Sequence, residues 1–104
     1  MKQGQNEICY TFFATLANPT RLAILEHLQE GPMNVSGLAD VLDQEQSMIS
    51  HNLKLLERCS FIESEKRGKE KFVALNDGFI NSLFSLIGEH FETNCEGENC
   101  PHRV

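Results

Sequence analysis

The sequence predicts a mostly α-helical domain with one small β-hairpin. Five segments carry apolar residues three and four positions apart, the spacing typical of amphipathic helices. After Cys59 the pattern changes to two short strand-like segments around the basic turn Arg67-Gly68-Lys69. Two short helices joined by polar residues and followed by a hairpin form a winged helix-turn-helix. We therefore predict about five helices and a two-stranded wing.

The length of 104 residues is sufficient for one domain with a modest core. We assign residues 1–94 to that domain and residues 95–104, which lack periodicity, to a tail containing Cys and His. No apolar run approaches the roughly 20 residues of a membrane span, and the first residues lack the apolar region of a signal peptide. These features predict a cytoplasmic protein with no membrane partner.

The first two helices are separated by a break at Asn18-Pro19. An apolar side over Glu7 to Ala17 could complete the core or pack on a second subunit. Asn18 is a good N-cap and Pro19 suits the first position of the second helix, which should stop at Gly31-Pro32. Its expected core residues are Leu22, Ile24, Leu25 and Leu28.

A short helix follows from Asn34 to Leu42, with Ser36 as its expected N-cap. The segment from Asp43 to Gln46 forms the turn into a longer helix. A generic helical hairpin has the same outline, so the chemistry of the longer helix is needed to identify its role.

The helix from Gln46 to Arg58 has two faces of opposite chemistry. Ile49, Leu53 and Leu56 share one side and belong to the core. The other side is neutral and polar at its start and basic further on, as contacts to base edges and phosphates require. A solvated helix face has the same composition, but the preceding helix and turn favour DNA binding. The predicted contacts are Ser47, Ser50, His51, Lys54 and Arg58.

The predicted hairpin pairs residues 61–66 with residues 70–75. A charged hairpin tip is usually only solvated, but its position after this helix is that of a wing. Its cations are then expected to contact phosphates or the minor groove. These residues are Lys66, Arg67, Lys69 and Lys71.

The charge is unevenly distributed along the chain. The net charge of -6 combines two Lys/Arg with six Asp/Glu in residues 1–45, six with four in residues 46–72, and one with five in residues 73–104. The three segments therefore carry -4, +2 and -4. The one positive segment contains the helix and hairpin predicted to contact DNA.

The last helix is predicted from a cap at Asn76 or Asp77 to about Asn94. Its apolar stripe is wider than one small subunit easily covers. We therefore predict a homodimer built on the first and last helices, which would present two DNA-reading helices to a two-fold site. The stripe consists of Phe79, Ile80, Leu83, Phe84, Leu86, Ile87 and Phe91.

Three sequence motifs carry a family resemblance: LANPTRLAIL (Leu16 to Leu25), LADVL (Leu38 to Leu42) and SMISHNLKLLE (Ser47 to Glu57). With the basic hairpin, they make residues 8–92 resemble the ArsR/SmtB family of bacterial and archaeal winged-helix repressors. The resemblance implies a dimer that binds operator DNA and releases it when a metal ion or another signal binds.

At residue level, the resemblance places DNA contacts at Gln46, Ser47, Ser50 and His51, with Lys54 nearby. Family members often have Ser as the cap of this helix. Because Glu45 stands there in this chain, Asp43 is the expected alternative cap.

The metal sites of the family are only partly matched. The thiol site falls on Asn34-Val35-Ser36, where both cysteines are missing. Of the four zinc ligands on the last helix, only Asp77 and His90 match, and Phe79 and Thr93 occupy the other places. Two ligands of four do not make a zinc site, so we interpret this pair as a helix cap and a surface histidine.

The chain contains four cysteines, which are expected to be reduced in the cytoplasm. We interpret Cys59 as a small core residue. Cys9 is open between a core residue and a sensor.

The tail offers a sharper candidate, because Cys95, Cys100 and His102 lie within eight residues. They could bind zinc or another thiophilic metal, with His90 or Cys9 as a further ligand. The same thiols could form a regulatory disulfide or persulfide. A tail without function is the third interpretation, and all three stay open.

The sequence thus predicts a DNA-binding transcriptional regulator, a homodimeric repressor that requires no cofactor and responds to a metal or thiol signal. An enzyme is not expected, since no nucleotide-binding loop or recognisable pair of catalytic carboxylates is present. The alternative is a winged-helix protein-interaction module without DNA binding. In that case Lys54, Arg67 and Lys69 could be changed without loss of function.

Overall fold

The computed structural model describes residues 3–76 and 78–94. Within these ranges it contains five helices and three strands, which confirms the predicted winged helix-turn-helix. No helix in them has the length and apolar character needed to cross a membrane. Asp77, Cys95, Cys100 and His102 lie outside the described residues. The elements are α1 (Gln3–Leu16), α2 (Pro19–Leu28), β1 (Met33–Asn34), α3 (Val35–Leu42), α4 (Gln46–Arg58), β2 (Ile62–Arg67), β3 (Glu70–Leu75) and α5 (Phe79–Asn94).

The sheet has one more strand than the sequence predicts. β1 pairs antiparallel with β3, with Met33 opposite Val73, so the strand order is β1-β3-β2. Two residues are too few to show the alternation by which strands are recognised. In the hairpin Arg67 pairs with Glu70, which leaves a loop of two residues. Gly68 has a φ of 63° there, a conformation that favours glycine.

The core lies where α2, α3 and α4 meet the sheet. Ile24, Leu25 and Leu28 are buried as predicted, and Asn18 caps α2 through a hydrogen bond from the N–H of Arg21. Leu22, however, is 39% exposed, so its assignment to the core was wrong. It lies roughly a third of a turn away from the buried side of α2 and faces outward.

The caps around α3 and α4 also differ from the prediction. Asn34, not Ser36, caps α3, because its Oδ1 accepts a hydrogen bond from the N–H of Gly37 at 2.7 Å. Glu45 precedes α4 but makes no side-chain cap. Asp43 ends α3 in the left-handed region with a φ of 54° and is therefore not the cap of α4.

Helix α5 is only lightly attached to the core. Within it, Ile80 is fully buried, whereas Leu83 and Phe84 are half-buried. Asn76 does not cap this helix, because it lies three residues before Phe79 and its side chain donates to the carbonyl of Ser60.

Candidate nucleic-acid interface

The two faces of α4 are separated as its sequence predicts. Ile49, Leu53 and Leu56 are fully buried. The opposite side of the helix points away from the core and is polar or basic. Gln46, Ser47, His51, Lys54 and Arg58 are exposed, and Ser50 is half-buried. These six side chains therefore lie where a ligand of the helix could reach them.

The basic residues of the wing do not all have the same surroundings. Lys66, Arg67 and Lys69 are exposed. The guanidinium of Arg67 lies 3.3 Å from a carboxylate oxygen of Glu65 and 4.7 Å from the centre of the Phe72 ring. These contacts are surface interactions on one side of the hairpin, and they are weak enough to be exchanged for a phosphate.

Lys71 is engaged with α4. Its Nζ lies 2.9 Å from Oε1 of Glu57, and both side chains are partly exposed. This ion pair joins β3 to the last turn of α4. A phosphate contact by Lys71 would have to compete with Glu57, whereas Lys69 in the hairpin loop forms no ion pair with the residues that the structure describes.

The helix and the wing share one cleft. Gln46 and Ser50 of α4 line it together with Lys69 and Lys71 of the hairpin, and its volume is about 310 Å³. The start of α3, at Ser36, forms the third wall. The fold thus brings residues predicted separately, from the helix and from the hairpin, into a single polar and basic surface.

A polar network behind α4 was missed by the sequence analysis. Asn52 is only 5% exposed, and its Oδ1 accepts a hydrogen bond from Nη1 of Arg21 at 2.9 Å. Nε of Arg21 donates to the carbonyl of Thr15 at 2.6 Å, and Nδ2 of Asn52 donates to the carbonyl of Met48 at 3.0 Å. The available signal was an amide residue on the apolar side of α4, since a buried amide needs a partner.

Helices α1 and α5 expose apolar side chains. On α1, Ile8 is 70%, Tyr10 77% and Phe13 61% exposed. Exposed apolar residues also lie along α5. A groove of about 600 Å³ between α2 and α5 is lined by Leu22 and Ile87 among others. The exposed apolar residues of α5 are Phe79, Leu86, Ile87 and Phe91.

Comparison with known proteins connects this arrangement to regulators. A family model described as a helix-turn-helix domain matches residues 16–65. The chain is 34% identical over 77 residues to the HTH-type transcriptional regulator NmtR of Mycobacterium tuberculosis, a match that covers 74% of this chain and 64% of NmtR. It is 26% identical over 92 residues to a homolog of the transcriptional repressor SmtB from Synechocystis, covering 88% and 70%. It is 30% identical over 81 residues to the transcriptional repressor SdpR of Bacillus subtilis, covering 74% and 90%.

The chain belongs to the ArsR/SmtB family of winged-helix regulators. In addition, the solution structure of a homodimeric winged helix-turn-helix DNA-binding domain from Mycobacterium bovis superposes with a TM-score of 0.80 at 22% identity, covering 95% of this chain and 92% of that one. At this identity the likeness concerns the fold, and it extends over α1 and α5 as well as the central helices.

Some ligand positions of the ArsR/SmtB metal sites are substituted in this chain, and the described residues contain no complete metal cluster. No group of three or more His, Cys, Asp and Glu side chains there is arranged to hold a metal ion. Cys9 is half-buried on α1, and His90 is exposed on α5, where its ring contacts Phe91 at 5.7 Å. Cys59 is half-buried against the core, with Sγ 3.4 Å from Oγ1 of Thr15.

Proposed function

We propose that this protein is a DNA-binding transcriptional repressor that acts as a homodimer. The observation that carries the proposal is the outer face of α4, which is polar at its start and basic beyond and shares a cleft with the basic wing. Base edges accept hydrogen bonds from hydroxyl, amide and imidazole groups, while Lys and Arg bind phosphates. The proposed DNA contacts are Gln46, Ser47, Ser50, His51, Lys54, Arg58, Lys66, Arg67 and Lys69. Lys71, which the sequence also predicts as a contact, is proposed to stay paired with Glu57.

The proposed dimer uses the apolar sides of α1 and α5. Phe13 and Leu86 are both more than 60% exposed in the single subunit, and a protein interface would bury such apolar side chains. A two-fold dimer would place two copies of α4 on the same side of the assembly, as a palindromic operator requires. The winged-helix domain from Mycobacterium bovis is homodimeric, which supports the dimeric state but does not identify the helices of the interface.

The proposed signal acts on the tail, residues 95–104. Zinc or another thiophilic metal bound by Cys95, Cys100 and His102, or oxidation of the two thiols, would act directly after α5. His90 and Cys9 are the proposed further ligands. Because α5 belongs to the proposed dimer interface, a change there would alter the spacing of the two α4 helices.

DNA binding is tested by fluorescence anisotropy with the reduced protein, using the DNA upstream of its own gene and a shuffled fragment of equal length. We expect tighter binding to the upstream fragment and a steep dependence on salt. His51→Ala should lower the preference for that fragment by roughly 1–3 kcal/mol. The matched control is His27→Ala on α2, which should bind as the wild type does. Equal binding of wild-type protein to both fragments at every salt concentration would favour an interaction module.

The signal is tested by adding zinc, or a mild oxidant, to the preformed complex. Release of DNA by either agent, and loss of that release in the double variant Cys95→Ser/Cys100→Ser, would support the tail as the sensor. Cys59→Ser serves as the control, since a hydroxyl can keep the contact to Thr15. A response that persists in the double variant would eliminate the tail thiols as the sensor.

A further inference from the structure

One guanidinium group links three helices behind the DNA-facing surface. Nη1 of Arg21, on α2, donates to Oδ1 of Asn52 in α4, and Nε donates to the carbonyl of Thr15 in α1. The side chain of Asn52 is itself tied to the carbonyl of Met48. Asn52 is the one buried polar residue among those that the structure describes.

The end of α1 is a favourable place for this cation. The last carbonyls of a helix have no partner within it, and the helix dipole makes this end negative. Thr15 lies in the last turn of α1, so its carbonyl can accept from Arg21 without loss of a helical bond. Thr15 makes a second link to α4, since its Oγ1 lies 3.4 Å from Sγ of Cys59 at the end of that helix.

These bonds restrict the rotation of α4 about its own axis. The buried contacts of Ile49 and Leu53 are apolar and have little directional preference, whereas hydrogen bonds depend on angle as well as distance. Asn52 directly follows the exposed His51 in the sequence. A rotation of α4 that breaks the bond to Arg21 would therefore also move the imidazole of His51.

The network begins at α1, and the other side of α1 is exposed and apolar. Tyr10 and Phe13 of α1 are 77% and 61% exposed, while Thr15 and Phe12 face the body of the subunit. Arg21 thus lies between a surface suited to a second subunit and the surface suited to DNA. A shift of the last turn of α1 would change the distance that the guanidinium must span.

We propose that Arg21 is a positioning residue that couples α1 to the rotation of α4, so that a change in the dimer interface alters DNA affinity through the bonds from Arg21 to Thr15 and Asn52. The inference deepens the proposed DNA-binding function and rests on it for the final step. The coupling itself is a property of the three helices and can be measured without DNA.

The test compares Arg21→Lys with the wild type. Lysine keeps the charge but has a single ammonium group, which cannot reproduce the planar fork that spans both acceptors. Gln29→Ala is the matched control, because it removes an exposed hydrogen bond between the C-cap of α2 and Asn81 of α5 without touching α4. Asn52→Leu provides a second variant, which removes the acceptor while keeping an apolar side chain of similar size.

Amide hydrogen exchange is the first readout. In Arg21→Lys and Asn52→Leu we expect exchange over residues 48–54 to rise about tenfold, with β2 and β3 protected as before. Gln29→Ala should match the wild type. Unchanged exchange in α4, or an equal rise throughout the molecule, would overturn the coupling, since the latter means that Arg21 only contributes to global stability.

Operator binding is the second readout. Arg21→Lys should weaken binding to the upstream fragment about tenfold, at a salt slope equal to that of the wild type, because no phosphate contact is removed. Unchanged operator affinity despite loosened α4 would overturn the role in DNA binding. If the wild type shows no preference for the upstream fragment, the proposed function fails, while the exchange pattern still decides the coupling.

Discussion

The helices α4 and α5 are both amphipathic, but the single subunit buries the apolar side of α4 and leaves much of the apolar side of α5 exposed. In α4, Ile49, Leu53 and Leu56 are fully buried and the polar side is exposed. In α5, Ile80 alone is fully buried within the described residues, and Leu86 is 63% exposed. Water can solvate the polar side of α4 and leaves it accessible to a ligand, whereas the exposed apolar side of α5 is suited to packing against a protein surface. The contrast shows that one small fold can expose a polar helix face and an apolar helix face at the same time.

The largest expected effect comes from truncating the buried side of α4. Leu53→Ala should lower the free energy of unfolding by about 2–5 kcal/mol, since a cavity remains in a closely packed core. Urea denaturation should show this loss at every protein concentration. Leu86→Ala on α5 should instead cause a loss that varies with protein concentration, because it weakens association. A concentration-independent loss in Leu86→Ala would mean that this side chain is buried within its own subunit.

A charge on the apolar side of α5 is expected to separate the subunits. Ile87→Glu would place a carboxylate in an apolar interface, where an unpaired charge is costly to bury. Sedimentation velocity should show monomers, and operator affinity should fall because one α4 helix binds alone. Glu89→Gln, on the same helix and also exposed to solvent, is the control and should remain dimeric. An unaltered dimer in Ile87→Glu would exclude this side of α5 from the interface.

The smallest expected effect distinguishes two lysines of the wing. Lys69→Gln should reduce the slope of log affinity against log salt by about 1, as expected when one phosphate contact is lost. Lys71→Gln should leave that slope nearly unchanged, because Lys71 pairs with Glu57. Loss of the ion pair between Lys71 and Glu57 should lower the free energy of unfolding by at most about 1 kcal/mol. Equal changes in slope would show that Lys71 leaves Glu57 to bind DNA.

Much of the fold follows from local sequence patterns. The period of three and four predicts the helices, and the glycine in a basic turn predicts the hairpin, because both depend on residues close in sequence. The capping residue of α2 was predicted for the same reason, since Asn18 and Pro19 act on adjacent backbone. The polar outer side of α4 likewise depends on periodicity alone.

Other features depended on which segments become neighbours in space. Strand β1 is defined by pairing with β3, about forty residues away, and not by its own two residues. Leu22 has the side chain of a core residue but lies beside the groove between α2 and α5. Ser36 and Asn34 are both acceptable caps, and only the path of the chain into α3 selects Asn34.

The sequence by itself determined the fold class, the face of α4 that is polar and the surplus of apolar surface on α5, since periodicity assigns each residue to a side of its element. Only the tertiary structure decided which side chains meet. It paired Arg21 with Asn52, 31 positions apart, and Lys71 with Glu57 on another element. The physical reason is that hydrogen bonds and ion pairs need two groups within a few ångströms, and periodicity carries no information about distance between elements.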